Sequence, residues 1–215
     1  MRSSIMLYLF ITLVLISCDK KDVQKKKENA PLPHSASVIN EKSVWDDDDL
    51  GNKCSKYERF DICLLKEVEK SGSIEALKAV QYLNKTREIG YVYSFRKEGP
   101  IGIAEIEYPF RVNTNTITLL IPPAGKPIYT EDIYDDIITS KVWLDFTKQH
   151  PSDSVHGAPR LMKIEKNNDD IEFIFSFHVG KCHACEETAR VYFSYKFTHE
   201  GVFIKNNILY VKISS

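Results

Sequence analysis

From Ile171 to Val179 every second residue is large and apolar, namely Ile171, Phe173, Phe175, Phe177 and Val179, and Val191, Phe193, Tyr195 and Phe197 repeat the pattern. Successive side chains of a strand point to opposite faces, so the two runs predict neighbouring half-buried strands, 171–179 and 190–198, sharing one core. Weaker alternation marks further strands at 88–95, 101–108, 116–121, 161–165 and 202–213, the last with a break at Asn206-Asn207. Gly99-Pro100 supplies the first turn and Pro122-Pro123 closes the third strand.

Elsewhere the spacing is three and four. Phe60, Cys63, Leu64 and Val68 follow Ser55-Lys56-Tyr57-Glu58, whose spacing is that of a capping box, and predict a helix over 56–70. Ser73 then caps a second helix carrying Ile74, Leu77, Val80 and Leu83. A third helix near 131–148 starts at Thr130-Glu131-Asp132 and stops before Pro151. Strands follow one another through short polar turns and do not alternate with helices, which argues for an α+β fold and against a doubly wound parallel sheet. The expectation is two N-terminal helices, antiparallel strands, the third helix and a C-terminal antiparallel meander.

The N-terminus follows another logic. Arg2 precedes the apolar run Ile5–Ile16, which has the length of a signal-peptide core and falls short of the roughly 20 residues of a spanning helix. Residues 1–17 therefore read as a signal peptide. The run ends Leu15-Ile16-Ser17-Cys18, which resembles the lipobox of bacterial lipoproteins. That resemblance implies cleavage before Cys18, acylation of Cys18 with palmitate-type chains, and a lipid-anchored protein facing the periplasm from the inner or the outer membrane of the cell envelope. Residues 18–43, with lysines at 20, 21, 25, 26 and 27 and prolines at 31 and 33, read as a flexible tether. A single domain over 44–215 follows, its packed part beginning near Cys54; the acidic run Asp46–Asp49 lacks the spacing of a calcium loop and reads as solvated.

Composition narrows the partners. The chain is 43% hydrophobic and 27% charged, which excludes a disordered, collagenous or polytopic membrane protein. Lys and Arg number 29 against 30 Asp and Glu, so no basic field is available for nucleic acid. The expected partners are the membrane, through the lipid, and an envelope protein.

Reactive residues concentrate in one stretch, His178, Cys182, His183 and Cys185, between the two strongest strands. Three readings compete for it. A disulfide between Cys182 and Cys185 suits an oxidising compartment. A redox dithiol using the same pair has the Cys-x-x-Cys spacing but lacks the strand-to-helix setting that lowers a thiol pKa. A zinc site could draw on His178, Cys182, His183 and Cys185, although no second Cys-x-x-Cys is present. If the helix begins at 56, Cys54 and Cys63 lie roughly 13 Å apart, which predicts Cys63 as a buried free thiol unless that helix starts later. His178 falls on the face opposite the phenylalanines and reads as half exposed.

No Gly-x-Ser-x-Gly, His-Glu-x-x-His or Gly-rich phosphate loop occurs, Glu105 and Glu107 form a carboxylate pair of an ordinary solvated strand, and no cofactor is implied. The stretch Glu107-Tyr108-Pro109-Phe110-Arg111 and the Cys-His-Ala-Cys hairpin are similar to uncharacterised bacterial envelope proteins, a resemblance that carries no activity with it. The expected role is a non-enzymatic binding or structural module of the envelope. The alternatives are a thiol-disulfide redox protein or an inhibitor of an envelope enzyme.

Overall fold

The computed structural model describes residues 37–214, which all lie in one compact unit, Pro33–Ser215. The signal peptide, Cys18 and tether residues 19–36 fall outside the described residues. Two antiparallel sheets of four strands organise the fold. The first contains β1 (Tyr91–Glu98), β2 (Ile101–Glu107), β3 (Thr116–Ile121) and β4 (Ile128–Tyr129), side by side in chain order. The second contains β5 (Ser154–Lys166), β6 (Asp170–Gly180), β7 (Ala189–Thr198) and β8 (Phe203–Ile213), again in chain order. The helices α1 (Leu50–Cys54), α2 (Phe60–Ser71) and α3 (Ile74–Thr86) precede the first sheet, and α4 (Tyr134–Thr139) and α5 (Lys141–Thr147) connect the two. The fold is therefore α+β.

Period-two patterning dictates the main core. Phe175 pairs with Phe193 and Phe173 with Tyr195 in the β6–β7 register. All the alternating residues of 171–179 and 191–197 are buried, and each large one contributes about 1.5 to 3 kcal/mol by leaving water. Ile133, Ile137 and Trp143 from the connecting helices close this core, together with Ile101, Ile103 and Leu120 from the first sheet. The opposite face of that sheet, Ala104, Ile106, Ile117 and Leu119, packs on Ala79 and Leu83 of α3. A third cluster of Trp45, Leu50, Leu64, Val68, Val80 and Tyr91 surrounds Cys54 and Cys63.

Several expectations are corrected. The helix expected over 56–70 begins at Phe60, because Ser55 closes α1 and does not open α2. Its backbone N–H donates to the Gly51 carbonyl and its hydroxyl to the Asn52 carbonyl at 2.7 Å. Arg59, extended at φ −121°, then turns the chain into α2. The third helix is interrupted at Ser140, which leaves helical geometry at ψ 150° and accepts the Trp143 N–H at 3.1 Å as the cap of α5; a 3-10 turn, Thr130–Ile133, leads into α4. Ser73, by contrast, caps α3 as its sequence predicts, accepting from the Ala76 N–H at 2.9 Å.

Residues 37–43, expected in the tether, belong to the fold. Ile39 is fully buried, and Asn40 caps a 3-10 turn, Glu41–Ser43, by accepting the Lys42 N–H at 2.9 Å. The acidic run lies at the surface, with Asp46, Asp48 and Asp49 exposed, while Asp47 holds the Lys53 ammonium at 2.6 Å, a bond that keeps its carboxyl below the usual range. Strand β4 was too short to show any period, and the first half of β5 is masked by Gly157 and Pro159, where the register shifts between His156 and Arg160.

Candidate functional site

Strands β6 and β7 run to Gly180 and from Ala189, and the intervening hairpin projects Lys181 to Glu186 into solvent. A tight turn begins it, with the Cys185 N–H donating to the Cys182 carbonyl at 3.1 Å. The disulfide Cys182–Cys185, with Cα atoms 5.0 Å apart, pins that turn. The pairing expected from the spacing is thus present. The second pairing corrects the expectation of a free thiol: Cys63 is bonded to Cys54 across 5.6 Å between Cα atoms. The late start of α2 makes this possible by folding residues 55–59 into a corner that returns Cys63 to the end of α1.

The neck of the hairpin is a charged network. His178 Nδ1 donates to Glu187 Oε2 at 3.1 Å, Arg190 donates to the same oxygen at 2.6 Å, and the Ser214 hydroxyl donates to Oε1 at 3.1 Å. Partial burial pushes the Glu187 carboxyl up, but the hydrogen bonds from His178 and Ser214 and the Arg190 charge outweigh it and hold the group below its ordinary value. Beside Glu187, Thr188 donates its hydroxyl to buried Asp153 at 2.7 Å.

His178 is more enclosed than its strand face suggested. Its Nε2 is buried without a hydrogen-bond partner and lies 3.1 Å from where a Cβ at position 180 would sit. That Cβ would also come within 2.9 Å of the Glu186 carbonyl, so the close approach of backbone and imidazole accounts for glycine at 180. His156, the cross-strand partner of His178, places Nε2 2.9 Å from Ser154 Oγ and 3.2 Å from the Gly180 carbonyl. The His183 ring stands edge-on to His156 with centroids 6.3 Å apart and lies against Gly157, whose positive φ opens the β5 bulge beneath it.

These rings surround the neck but do not converge. Among the described residues no group of three or more His, Cys, Asp or Glu side chains is arranged to hold a metal. The alternative ligand set His178, Cys182, His183 and Cys185 is taken up otherwise, with the sulfurs bonded to each other and His178 committed to Glu187. No helix starts at Cys182, so the dipole that would activate a thioredoxin-like thiol is missing from this loop.

His183 also forms part of the wall of a cleft of about 550 Å³ between β5 and the first sheet. Arg96, Glu105, Thr116, Thr118 and Arg160 line it. Sequence reasoning saw Glu105 only as an ordinary strand carboxylate and did not single out the arginines, because nothing local to residues 96, 105 or 160 reveals that they share a surface. The Glu187–Arg190 pair, three residues apart, was likewise not singled out, although its spacing is local.

No family model matches the chain, and no curated protein or solved structure is significantly similar to it. Among the described residues no helix is long and apolar enough to cross a membrane.

Proposed function

We propose that this chain is a non-enzymatic lipoprotein of the bacterial envelope that recognises a protein partner through the 178–188 hairpin. The anchor rests on the lipobox pattern at Leu15–Cys18, and the periplasm-facing position follows from it. The observation that carries the recognition role is the hairpin itself, a run of exposed residues, 181–186, whose shape is fixed by a disulfide at its tip and by a charge network at its neck. Such preorganisation lowers the ordering cost of binding. An envelope enzyme inhibited by the hairpin would be one such partner.

A photo-crosslinking residue placed at His183 in the full acylated chain, in its native membranes, is expected to capture a discrete protein adduct. The same residue at Lys78, exposed on α3, is expected to capture none. Identical patterns at the two positions would remove the reading.

The exposure of Cys182 and Cys185 favours a second reading, thiol-disulfide exchange with an envelope redox partner. A reduction potential above about −200 mV, with a reactive thiolate near neutral pH, would support it over the first.

A further inference from the structure

Most arginines among the described residues hold a carboxylate. Arg59 holds Asp61, Arg87 holds Asp132, Arg111 holds Glu88 and Glu131, and Arg190 holds Glu187. Among the described residues, Arg96 and Arg160 alone of the arginines hold no carboxylate, and both line the cleft between β5 and the first sheet. They reach it from strands of different sheets, Arg96 from β1 and Arg160 from the bulged segment of β5. A guanidinium offers a planar fork of donors that matches a carboxylate or a phosphate and has no acceptor of its own to satisfy.

The remaining lining has a different chemistry. Glu105 receives one hydroxyl, from Ser94 at 3.2 Å, which leaves most of its acceptor sites open. The Thr116 hydroxyl donates to Glu107 at 2.6 Å and so presents its lone pairs, and Thr118 adds a second threonine to the same wall. Ile103 and Leu161 add apolar surface. The rim carries Thr114 at φ +58°, the non-glycine residue with a left-handed backbone among those described; such conformations are costly for a β-branched residue and cluster at ligand sites. The volume falls within the range of small-molecule sites.

We propose that this cleft binds an anionic, hydroxyl-bearing small molecule, a phosphorylated or carboxylated sugar, whose charged group is held by Arg96 and Arg160. Glu105 and the threonine hydroxyls take the sugar hydroxyls, and Ile103 and Leu161 meet its apolar face. The cleft shares His183 with the hairpin, but its charged and hydroxyl-bearing groups come from β1, β2, β3 and β5: absence of sugar binding with crosslinking at His183 intact would remove this inference alone.

The test is calorimetric titration of the full chain in detergent with glucose 6-phosphate, glucuronate, glucose and inorganic phosphate. Saturable binding of at least one charged sugar is expected, with glucose about tenfold or more weaker. Arg96→Ala and Arg160→Ala are each expected to weaken the charged sugar by about tenfold or more and to leave glucose unchanged. Glu105→Gln should weaken the sugar phosphate while leaving inorganic phosphate as it was. Lys78→Ala removes the same charge from the distant surface of α3 and should change nothing. Both arginines are exposed, so unaltered circular dichroism and urea midpoints are expected to accompany the loss. Absence of saturable binding up to about 10 mM, equal affinity for glucose and its phosphate, or an effect of Lys78→Ala as large as that of Arg96→Ala would each overturn the proposal.

Discussion

The Cys54–Cys63 and Cys182–Cys185 bridges both close short loops, yet they sit in opposite surroundings. Cys54 and Cys63 are both 0% exposed, enclosed by Trp45, Leu64, Val68 and Tyr91, and their bond joins the end of α1 to the first turn of α2. Cys182 and Cys185 are exposed at the tip of a hairpin whose residues 181–186 belong to no core. The buried bond acts on the whole helical cluster, since opening it disturbs every side chain packed around the sulfurs. The exposed bond acts on the shape of one surface loop. Burial, and not the covalent chemistry, separates a bond that holds the fold from one that shapes an exposed loop.

Reduction should separate the two most widely. Under native conditions a water-soluble phosphine reaches Cys182–Cys185 directly, whereas Cys54–Cys63 becomes accessible only in an opened state that costs a large part of the global stability. Alkylation followed by peptide mass analysis is expected to show rates differing by a factor of about 10³ or more. Comparable rates would mean that the helical cluster opens locally and would erase the distinction.

Stability comes next. Cys54→Ala with Cys63→Ala is expected to cost about 3 to 5 kcal/mol in urea unfolding, combining lost loop constraint with the space left around two buried sulfurs. Cys182→Ser with Cys185→Ser opens a shorter loop that lies in water and should cost about 2 kcal/mol without loss of the fold. Equal losses would place the hairpin bond among the determinants of the fold.

The smallest effect concerns the charged neck. Glu187 titrates below its ordinary value in the folded protein, so its contribution to stability is fully present above the unfolded carboxyl range and is lost as pH falls through the lower folded value. The urea midpoint of the wild type should therefore fall more steeply on acidification below about pH 4.5 than that of Glu187→Gln, while Cys54 and Cys63 stay bonded at both pH values. Parallel acid profiles would show that the His178, Arg190 and Ser214 contacts do not stabilise the neck.

Much of the architecture is legible in the sequence. Alternation from Ile171 to Val179 and from Val191 to Phe197 placed the second sheet's core correctly, because a strand with one buried face writes its period into the sequence. Ser73 was legible as a cap because capping is local, reaching only the Ala76 N–H. Ser55 carried the same local signal and misled, since its hydroxyl found the preceding helix first. The hairpin disulfide was legible as one of three competing readings, because its cysteines are only three residues apart.

What the sequence determined by itself was therefore whatever depends on near neighbours: the period of the longer strands, the cap of α3 and the Cys182–Cys185 turn, while the apolar leader ending at Cys18 is the ground on which a lipid anchor is proposed. Only the tertiary structure decided the rest. The Cys54–Cys63 bond waited on the direction in which the chain turns between α1 and α2, and the burial of Ile39 waited on the helices and sheet it packs against. The cleft that gathers Arg96, Glu105 and Arg160 exists only because two separately formed sheets meet beside a bulge. Side chains so far apart along the chain carry no mutual spacing, and packing alone brings their charges onto one surface.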